Sequence, residues 1–148
     1  CSVFMVRGNN DYMLKLDDSK EVKIGKYKAF ITHGHIYGVS MGVDMLKEEA
    51  KRRNCDIAMF GHTHRPFLEN VDGVIILNPG SISYPRQDNR KPSYLIMTVD
   101  DKTGELNFEH KYLWTAEDPY KEFWDRLDIF KIREKLRKLI KIFNIKKS

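Results

Sequence analysis

The sequence predicts an α/β fold followed by a helical extension, and three observations lead to this prediction. Short, strongly apolar runs end in polar loops, as buried strands do, at residues 2–6, 29–31 and 57–60. Residues 41–53 carry apolar side chains at helical spacing. Beyond Leu113 a longer amphipathic pattern begins. We therefore expect a domain over residues 1–114 and an amphipathic helical extension over residues 115–148.

The first predicted elements are a strand at Val3–Val6 and a hairpin. The hairpin joins residues 21–24 to residues 26–31 through Gly25, because glycine adopts turn conformations that other residues avoid.

A helix and a strand are predicted next. Ser40 is placed to cap a helix over residues 41–53, since its hydroxyl can accept a hydrogen bond from a free backbone N–H. Asn54 can end this helix in a left-handed conformation, and a strand over residues 56–60 follows. The buried stripe of the helix is expected to consist of Val43, Leu46 and Ala50.

The remaining strands lie in the last part of the domain. Residues 74–77 form a short apolar run, and residues 94–99 and 105–112 alternate apolar with polar side chains. The segment Asp101-Lys102-Thr103-Gly104 between the last two is typical of a hairpin turn. His110 is expected to be an exposed residue of the final strand.

Composition and cysteine content set the broad class. The chain is 41% apolar and 32% charged, and no stretch is long and apolar enough to cross a membrane. Cys1 and Cys55 have no spacing typical of a disulfide framework or a metal site, which fits a reducing, cytoplasmic location. We expect Cys55 to be a small buried residue where the helix meets a strand.

Neutral metal ligands follow three of the predicted strands. Asn9 follows the first, His33 and His35 follow the second strand of the hairpin, and His62 and His64 follow the strand at residues 56–60. The carboxyl ends of strands are where sites form in open α/β sheets. Imidazole and amide oxygen suit divalent transition metals, so the sequence predicts a metal site at this edge.

The same residues carry a family resemblance. The blocks Gly8-Asn9-Asn10-Asp11, His33 and Gly61-His62-Thr63-His64 stand in the order of the last three of five blocks of the calcineurin-like metallophosphoesterases. Over residues 1–113 the chain resembles the small YfcE-type phosphodiesterases, which are related to the retromer subunit Vps29. The loop Asn78-Pro79-Gly80-Ser81 and the pair Pro85-Arg86 are also similar to this subfamily.

The first two family blocks, Asp-x-His and Gly-Asp, have no counterpart in this chain. The resemblance therefore implies a two-sheet sandwich flanked by helices whose amino-terminal part is missing. By the size of a βαβα pair, the expected missing part is on the order of 50 to 60 residues.

The resemblance also implies roles for individual residues. Asn9, His33 and His62 match the ligands of one metal ion, and His64 matches a ligand of the other. The two ions would be Mn, with Ni, Fe or Zn as alternatives, and would activate a bridging hydroxide. Asn9 and His33 are also the candidate catalytic residues. In an extended loop, residues two apart point the same way, so His62 and His64 could face two ions about 3.5 to 4 Å apart.

Four further residues are candidates for supporting the metals or contacting phosphate, and each has a structural alternative. Asp11 could orient a ligand or close a turn, and His35 could donate a proton or be an ordinary loop residue. Ser81 and Arg86 could touch phosphate, or they could belong to a turn that packs the edge of the sheet or to a subunit contact. Asn10 stands where many relatives have a histidine, and an amide cannot donate a proton to a leaving group.

These roles predict metal-dependent hydrolysis of a phosphodiester or a small phosphate ester. The alternative is a non-catalytic interaction module, as in the Vps29 relatives. The expected small-molecule partner is a phosphate-ester substrate.

The basic charge of the chain lies in the extension. Residues 1–117 hold 16 basic and 16 acidic side chains, whereas residues 118–148 hold 10 and 5, which accounts for the net charge of +5. A helix is predicted to begin at Asp118-Pro119. We favour packing of its aromatic stripe on this domain or on a second subunit in a homo-oligomer. The alternatives are binding to an anionic membrane surface, to nucleic acid or to another protein. The stripe begins with Tyr120, Phe123, Trp124, Leu127 and Phe130.

Overall fold

The computed structural model describes residues 2–113. The predicted extension over residues 115–148 and Cys1 lie outside the described residues. Within the described part, no helix has the length and apolar character needed to span a membrane.

A five-stranded mixed sheet forms the centre of the described fold. Its strand order is β1-β2-β3-β5-β4, with parallel pairing of β2 to β3 and of β3 to β5 and antiparallel pairing at both edges. Because the three inner strands run the same way, their carboxyl ends lie side by side. The strands are β1 (Ser19–Ile24), β2 (Tyr27–Thr32), β3 (Ile57–Met59), β4 (Pro66–Val71) and β5 (Val74–Pro79).

Two further layers cover this sheet. The helix α1 (Asp44–Arg52) follows a short 3₁₀ turn at His35–Tyr37. The strands β6 (Ser93–Val99) and β7 (Leu106–Tyr112) form a second, antiparallel sheet.

Side chains alternate between the two faces of the central sheet and so make two cores. Phe30 and Ile76 face α1 and pack with Leu46 and Ala50 of that helix. Neighbouring residues on the opposite face pack against the β6–β7 hairpin, whose apolar side chains cover them. The predicted two-sheet α/β architecture with a flanking helix is therefore confirmed. The second core contains Ala29, Ile57, Leu77, Leu95, Met97, Leu106 and Phe108.

Several local predictions are confirmed by the backbone. Gly25 lies in the β1–β2 turn with φ of 58°, and Asn54 follows α1 with φ of 53°. The β6–β7 turn closes with Gly104 at φ of 68°. Cys55 is buried between α1 and β3.

The prediction of a strand at Val3–Val6 is wrong. The segment has no regular secondary structure, and Val3, Phe4 and Met5 are 74%, 52% and 57% exposed. An apolar run becomes a strand only where a partner supplies backbone hydrogen bonds. Both edges of β3 are already occupied, by β2 and β5, and no described strand pairs with residues 3–6.

Other elements begin elsewhere or were not predicted. The helix α1 begins at Asp44, with Val43 rather than Ser40 at its cap, because the chain first turns at Gly38, whose carbonyl accepts a hydrogen bond from Met41 N–H. The edge strand β4 was missed. Its turn to β5 was encoded in Asp72-Gly73, where φ is 51° and 87°.

Candidate functional site

His33 and His62 meet because the strands before them are parallel neighbours. His33 follows β2, His62 follows β3, and Gly61 N–H donates to the His33 carbonyl at 3.1 Å. His62 Nδ1 lies 3.2 Å from His33 Nε2, with the ring centroids 5.1 Å apart. The register of two buried strands therefore fixes this pair.

Asn9 completes a three-residue cluster from a different part of the chain. Its Oδ1 lies 2.9 Å from His33 Nε2. Two hydrogen bonds and one ion pair hold its loop in place. Gly8 N–H donates to Asp11 Oδ2 at 2.8 Å, Arg7 N–H donates to the Asp17 carbonyl at 2.8 Å, and Arg7 pairs with Asp18 at 2.7 Å.

The loop after β3 is strained at both of its histidines. His62 has φ of 61° and His64 has φ of 59°, a region that side chains other than glycine adopt at a cost of about 1 to 3 kcal/mol. Thr63 N–H donates back to the Gly61 carbonyl at 2.6 Å, which folds the chain tightly around His62. The expected extended loop with two parallel histidine side chains is therefore wrong.

A buried amide supports this strained loop. Asn78 is fully buried at the end of β5. Its Nδ2 donates to the Gly61 carbonyl at 2.8 Å and to Thr63 Oγ1 at 3.0 Å, and its Oδ1 accepts from Gly80 N–H at 2.9 Å. From the sequence, Asn78 was predicted only as part of a family motif, and its contact with the loop after β3 was not. An amide side chain in an otherwise apolar strand was the available signal.

The second sheet also contacts Asn78. His110 of β7 donates from Nε2 to the Asn78 carbonyl at 3.0 Å and is only partly exposed. The expectation that His110 is a simple exposed strand residue is therefore wrong.

His64 points to a different loop from His62. Its Nδ1 donates to the Tyr84 carbonyl at 2.8 Å, and Arg86 N–H donates to the His64 carbonyl at 3.0 Å. With Nδ1 carrying the proton, Nε2 of the neutral ring keeps its lone pair. A backbone carbonyl holding the second nitrogen is the usual arrangement for a metal-ligating histidine.

Burial and neighbouring imidazoles favour the neutral forms of the clustered histidines. The pKa of His33 is lowered first by burial and then by His62 and His35. The pKa of His62 is lowered first by burial, then by His35 and Arg86. Both rings are therefore neutral at neutral pH, the form that binds metal.

His35 is the supporting candidate that the structure brings into the cluster. Its ring centroid lies 5.2 Å from that of His33 and 6.2 Å from that of His62. His35 Nδ1 is buried and has no hydrogen-bond partner among the described residues.

The other supporting candidates have local structural contacts. Asp11 closes the Gly8 turn described above, and Ser81 Oγ accepts from Tyr84 N–H at 3.0 Å. The Arg86 guanidinium lies over the Tyr84 ring at 5.2 Å from its centroid. These contacts fit the structural alternatives for Asp11 and Ser81 and leave Arg86 beside the His64 loop.

The donor atoms of Asn9, His33 and His62 fit one side of a metal site. His33 Nε2 lies close to both Asn9 Oδ1 and His62 Nδ1. Asn9 Oδ1 can only accept, so without a cation one N–H of His33 has to be shared between the two neighbouring atoms. A cation between the three atoms would use a lone pair from each. No carboxylate joins them, and residues 2–113 contain no group of three or more His, Cys, Asp or Glu side chains arranged to hold a metal.

Comparison with known proteins identifies the family. Residues 1–102 match the model of the calcineurin-like phosphoesterase superfamily domain. The chain is 32% identical over 104 residues to a probable metallophosphoesterase, YsnB, of Bacillus subtilis, covering 70% of this chain and 61% of that protein. It is 40% identical over 65 residues to the phosphodiesterase MJ0936 of Methanocaldococcus jannaschii, covering 44% of this chain and 36% of that protein.

Solved structures agree with the sequence matches. A protein of Streptococcus pneumoniae described as a predicted phosphoesterase aligns with a TM-score of 0.62 and 30% identity, covering 70% of this chain and 59% of that one. The Vps29 of Entamoeba histolytica in complex with Zn²⁺ aligns with a TM-score of 0.59 and 28% identity, covering 72% and 67%. The chain thus spans about three fifths of the length of the Bacillus and Streptococcus proteins. It belongs to the calcineurin-like phosphoesterase superfamily, in the part that contains the YfcE-type phosphodiesterases and the Vps29 proteins.

Proposed function

We propose that the protein hydrolyses a phosphodiester or a small phosphate ester and that Asn9, His33 and His62 hold one of its metal ions. Membership of the superfamily supports a metal-dependent phosphoesterase in general. The observation that carries the residue assignment is the approach of Asn9 Oδ1 and His62 Nδ1 to His33 Nε2, at 2.9 and 3.2 Å.

The proposed site holds two divalent ions, with Mn favoured and Ni, Fe or Zn as alternatives, since imidazole and amide ligands suit these metals. His64 would bind the second ion through Nε2, held by its bond to the Tyr84 carbonyl. When bound, such ions supply a nucleophile at neutral pH and neutralise charge on the phosphoryl oxygens.

The side chains around the cluster have separate tasks in this proposal. Asn9 and His33 are the proposed catalytic residues because, together with His62, they would hold the ion and so set its position relative to the substrate. His35 Nδ1 is buried beside the cluster and has no hydrogen-bond partner within residues 2–113, so it is a candidate donor for a phosphoryl oxygen. Asn10 cannot protonate a leaving group, which favours substrates whose leaving group is already a good one.

Residues 2–113 supply fewer ligands to the second ion than to the first. His64 is its single assigned ligand here, and no bridging carboxylate is among the described contacts of the cluster. We propose that residues 1–114 are the carboxyl-terminal part of a metallophosphoesterase domain and that the remaining ligands come from outside residues 2–113.

Metal analysis and an activity assay test this function together. After dialysis against Mn²⁺, the 148-residue chain should hold at most one weakly bound ion per molecule, and a longer form that adds the Asp-x-His and Gly-Asp blocks should hold two. Only the second form should hydrolyse an activated aryl phosphodiester. Two tightly bound ions in the 148-residue chain would contradict the ligand assignment.

A non-catalytic interaction module is the second candidate. It is favoured by the similarity to Entamoeba Vps29 and by the incomplete set of metal ligands in residues 2–113. This candidate predicts no phosphoesterase turnover in any form of the protein, even with metal bound. Light scattering would show at the same time whether the protein is the homo-oligomer that its sequence predicts.

A further inference from the structure

The loop that carries His62 is held in place by a side chain from another strand. His62 and His64 both have positive φ, and the tight turn at Gly61–Thr63 places His62 Nδ1 against His33. A loop of this kind persists only when surrounding contacts compensate for its strain.

Asn78 makes those contacts through both halves of its amide. Its two N–H groups bond to Gly61 and Thr63, the residues on either side of His62. Its Oδ1 bonds to Gly80 N–H, which fixes which end of the amide faces the turn. The side chain is fully buried, so water cannot replace a lost bond cheaply.

We propose that Asn78 is a positioning residue that keeps His62 aimed at His33 and Asn9. The assignment rests on the proposed metal site, because its effect on turnover passes through His62. Asn78 itself touches neither substrate nor metal in this proposal. Loss of its donor groups should loosen the turn without removing a ligand.

Two substitutions separate positioning from simple loss of stability. Asn78→Asp keeps the oxygen that accepts from Gly80 but, when ionised, has no N–H for Gly61 or Thr63. Thr63→Val removes one of the two accepting atoms, and Thr63→Ser retains it as the conservative rescue. Ile57→Ala is the matched control, a fully buried core truncation at the opposite end of β3.

The first measurement needs neither metal nor substrate. Nuclear Overhauser contacts between the His33 and His62 rings should be present in the metal-free parent protein. They should weaken or vanish in Asn78→Asp and remain in Ile57→Ala. Folding is confirmed for each variant by circular dichroism. Unchanged ring contacts in folded Asn78→Asp would overturn the proposal, whatever the catalytic activity of the protein.

The second measurement uses Mn²⁺ titration and hydrolysis of an aryl phosphodiester by the longer form that carries the Asp-x-His and Gly-Asp blocks. Asn78→Asp should lower kcat or Mn²⁺ affinity about 10- to 100-fold with KM changed less, as for other residues that orient metal ligands. Thr63→Val removes the Oγ1 that accepts from Asn78 at 3.0 Å and, more weakly, from Arg65 N–H at 3.4 Å. It should lower kcat or Mn²⁺ affinity about 3- to 10-fold, and Thr63→Ser should recover most of this loss.

The outcomes distinguish the two proposals. If the longer form that carries the Asp-x-His and Gly-Asp blocks shows no hydrolysis with metal bound, the proposed function fails, while the ring contacts still test Asn78. If Asn78→Asp does not fold, the comparison of Thr63→Val with Thr63→Ser tests whether Asn78 positions His62. Equal ring contacts and equal Mn²⁺ affinity in those two variants would overturn the positioning role, and a loss restored by serine would support it.

Discussion

The two halves of the proposed metal-ligand cluster, Asn9 on one side and His33 with His62 on the other, are held by different means. His33 and His62 follow strands whose inner residues, such as Phe30 and Ala58, are fully buried. Asn9 lies in a segment whose apolar side chains at Val3, Phe4 and Met5 are mostly exposed. The register of the sheet thus fixes two ligands, whereas a few polar contacts fix the third.

This difference shows where the site can be weakened without loss of the fold. Moving a histidine requires a change in strand pairing or in the Asn78 contacts. Moving Asn9 requires only the loss of surface ties such as the Arg7–Asp18 pair, whose side chains are each more than two fifths exposed. Four predictions test the contrast.

Removal of a ligand from either half should have the largest effect. In the longer form that carries the Asp-x-His and Gly-Asp blocks, His62→Ala and Asn9→Ala should each reduce turnover of an aryl phosphodiester by at least about 100-fold, because each would leave the ion incompletely held. Steady-state kinetics with Mn²⁺, together with metal analysis, check this prediction. Retained turnover in both variants with the ion still bound would show that the roles are wrongly assigned.

Loss of a contact that holds the Asn9 loop should have a smaller but measurable effect on metal binding. Arg7→Met removes the ion pair with Asp18 and should raise the Mn²⁺ concentration needed for half-maximal activity about 3- to 10-fold. Lys20→Met is the matched control, since Lys20 pairs with Asp17 on the same surface and has no described bond to the loop. Equal effects of the two variants would mean that surface charge, not loop position, is responsible.

The stability of the fold can be lowered at α1 with no change at the proposed metal site. Arg52, and then Arg53, hold the pKa of Glu49 down to about 2 from 4.5. Because the pKa is lower in the folded state, this contribution is complete above about pH 4.5 and is lost as the pH falls toward 2.

Glu49→Gln should therefore reduce the free energy of unfolding by roughly 1 to 3 kcal/mol at neutral pH. The difference from the parent should disappear in acid, and kcat should not change. Urea unfolding at several pH values provides the measurement. A stability difference that is constant from neutral pH to acid would exclude the proposed linkage.

The smallest expected change in stability is a gain on replacing a proposed ligand. His62 and His64 have positive φ, which glycine adopts without strain, so His62→Gly should raise the free energy of unfolding by about 1 kcal/mol while abolishing turnover. Thermal unfolding in the absence of metal measures this. His62→Ala, which keeps the strain, is the reference, and equal stability of the two variants would argue that the loop is not strained.

Local signals in the sequence were sufficient for much of the fold. Gly25 and Asn54 mark their turns through backbone conformations that few residues adopt, and the alternation in β6 and β7 reflects one covered face. The strand predicted at Val3–Val6 failed because pairing depends on a partner that local pattern does not reveal. The strand β4 was not predicted, although Asp72-Gly73 is typical of the turn that joins it to β5.

The proximity of three of the proposed site residues was predictable from the sequence, but their geometry was not. The placement of Asn9, His33 and His62 after apolar runs indicated that they would meet. Nothing local indicated that His62 and His64 would adopt positive φ or turn to different loops. The role of Asn78 depends on a contact between β5 and the loop after β3, so it follows from tertiary structure rather than from any segment alone.

The parallel pairing of β2, β3 and β5 has a consequence for how the protein folds. The pairs β1–β2, β4–β5 and β6–β7 are hairpins between adjacent segments, so each can form early from local encounters. The pairing of Ala29 with Ile57 must instead close a long loop that includes α1. His33 and His62 come together only in that step. The hairpins should therefore gain hydrogen-exchange protection during refolding before the protein acquires affinity for metal.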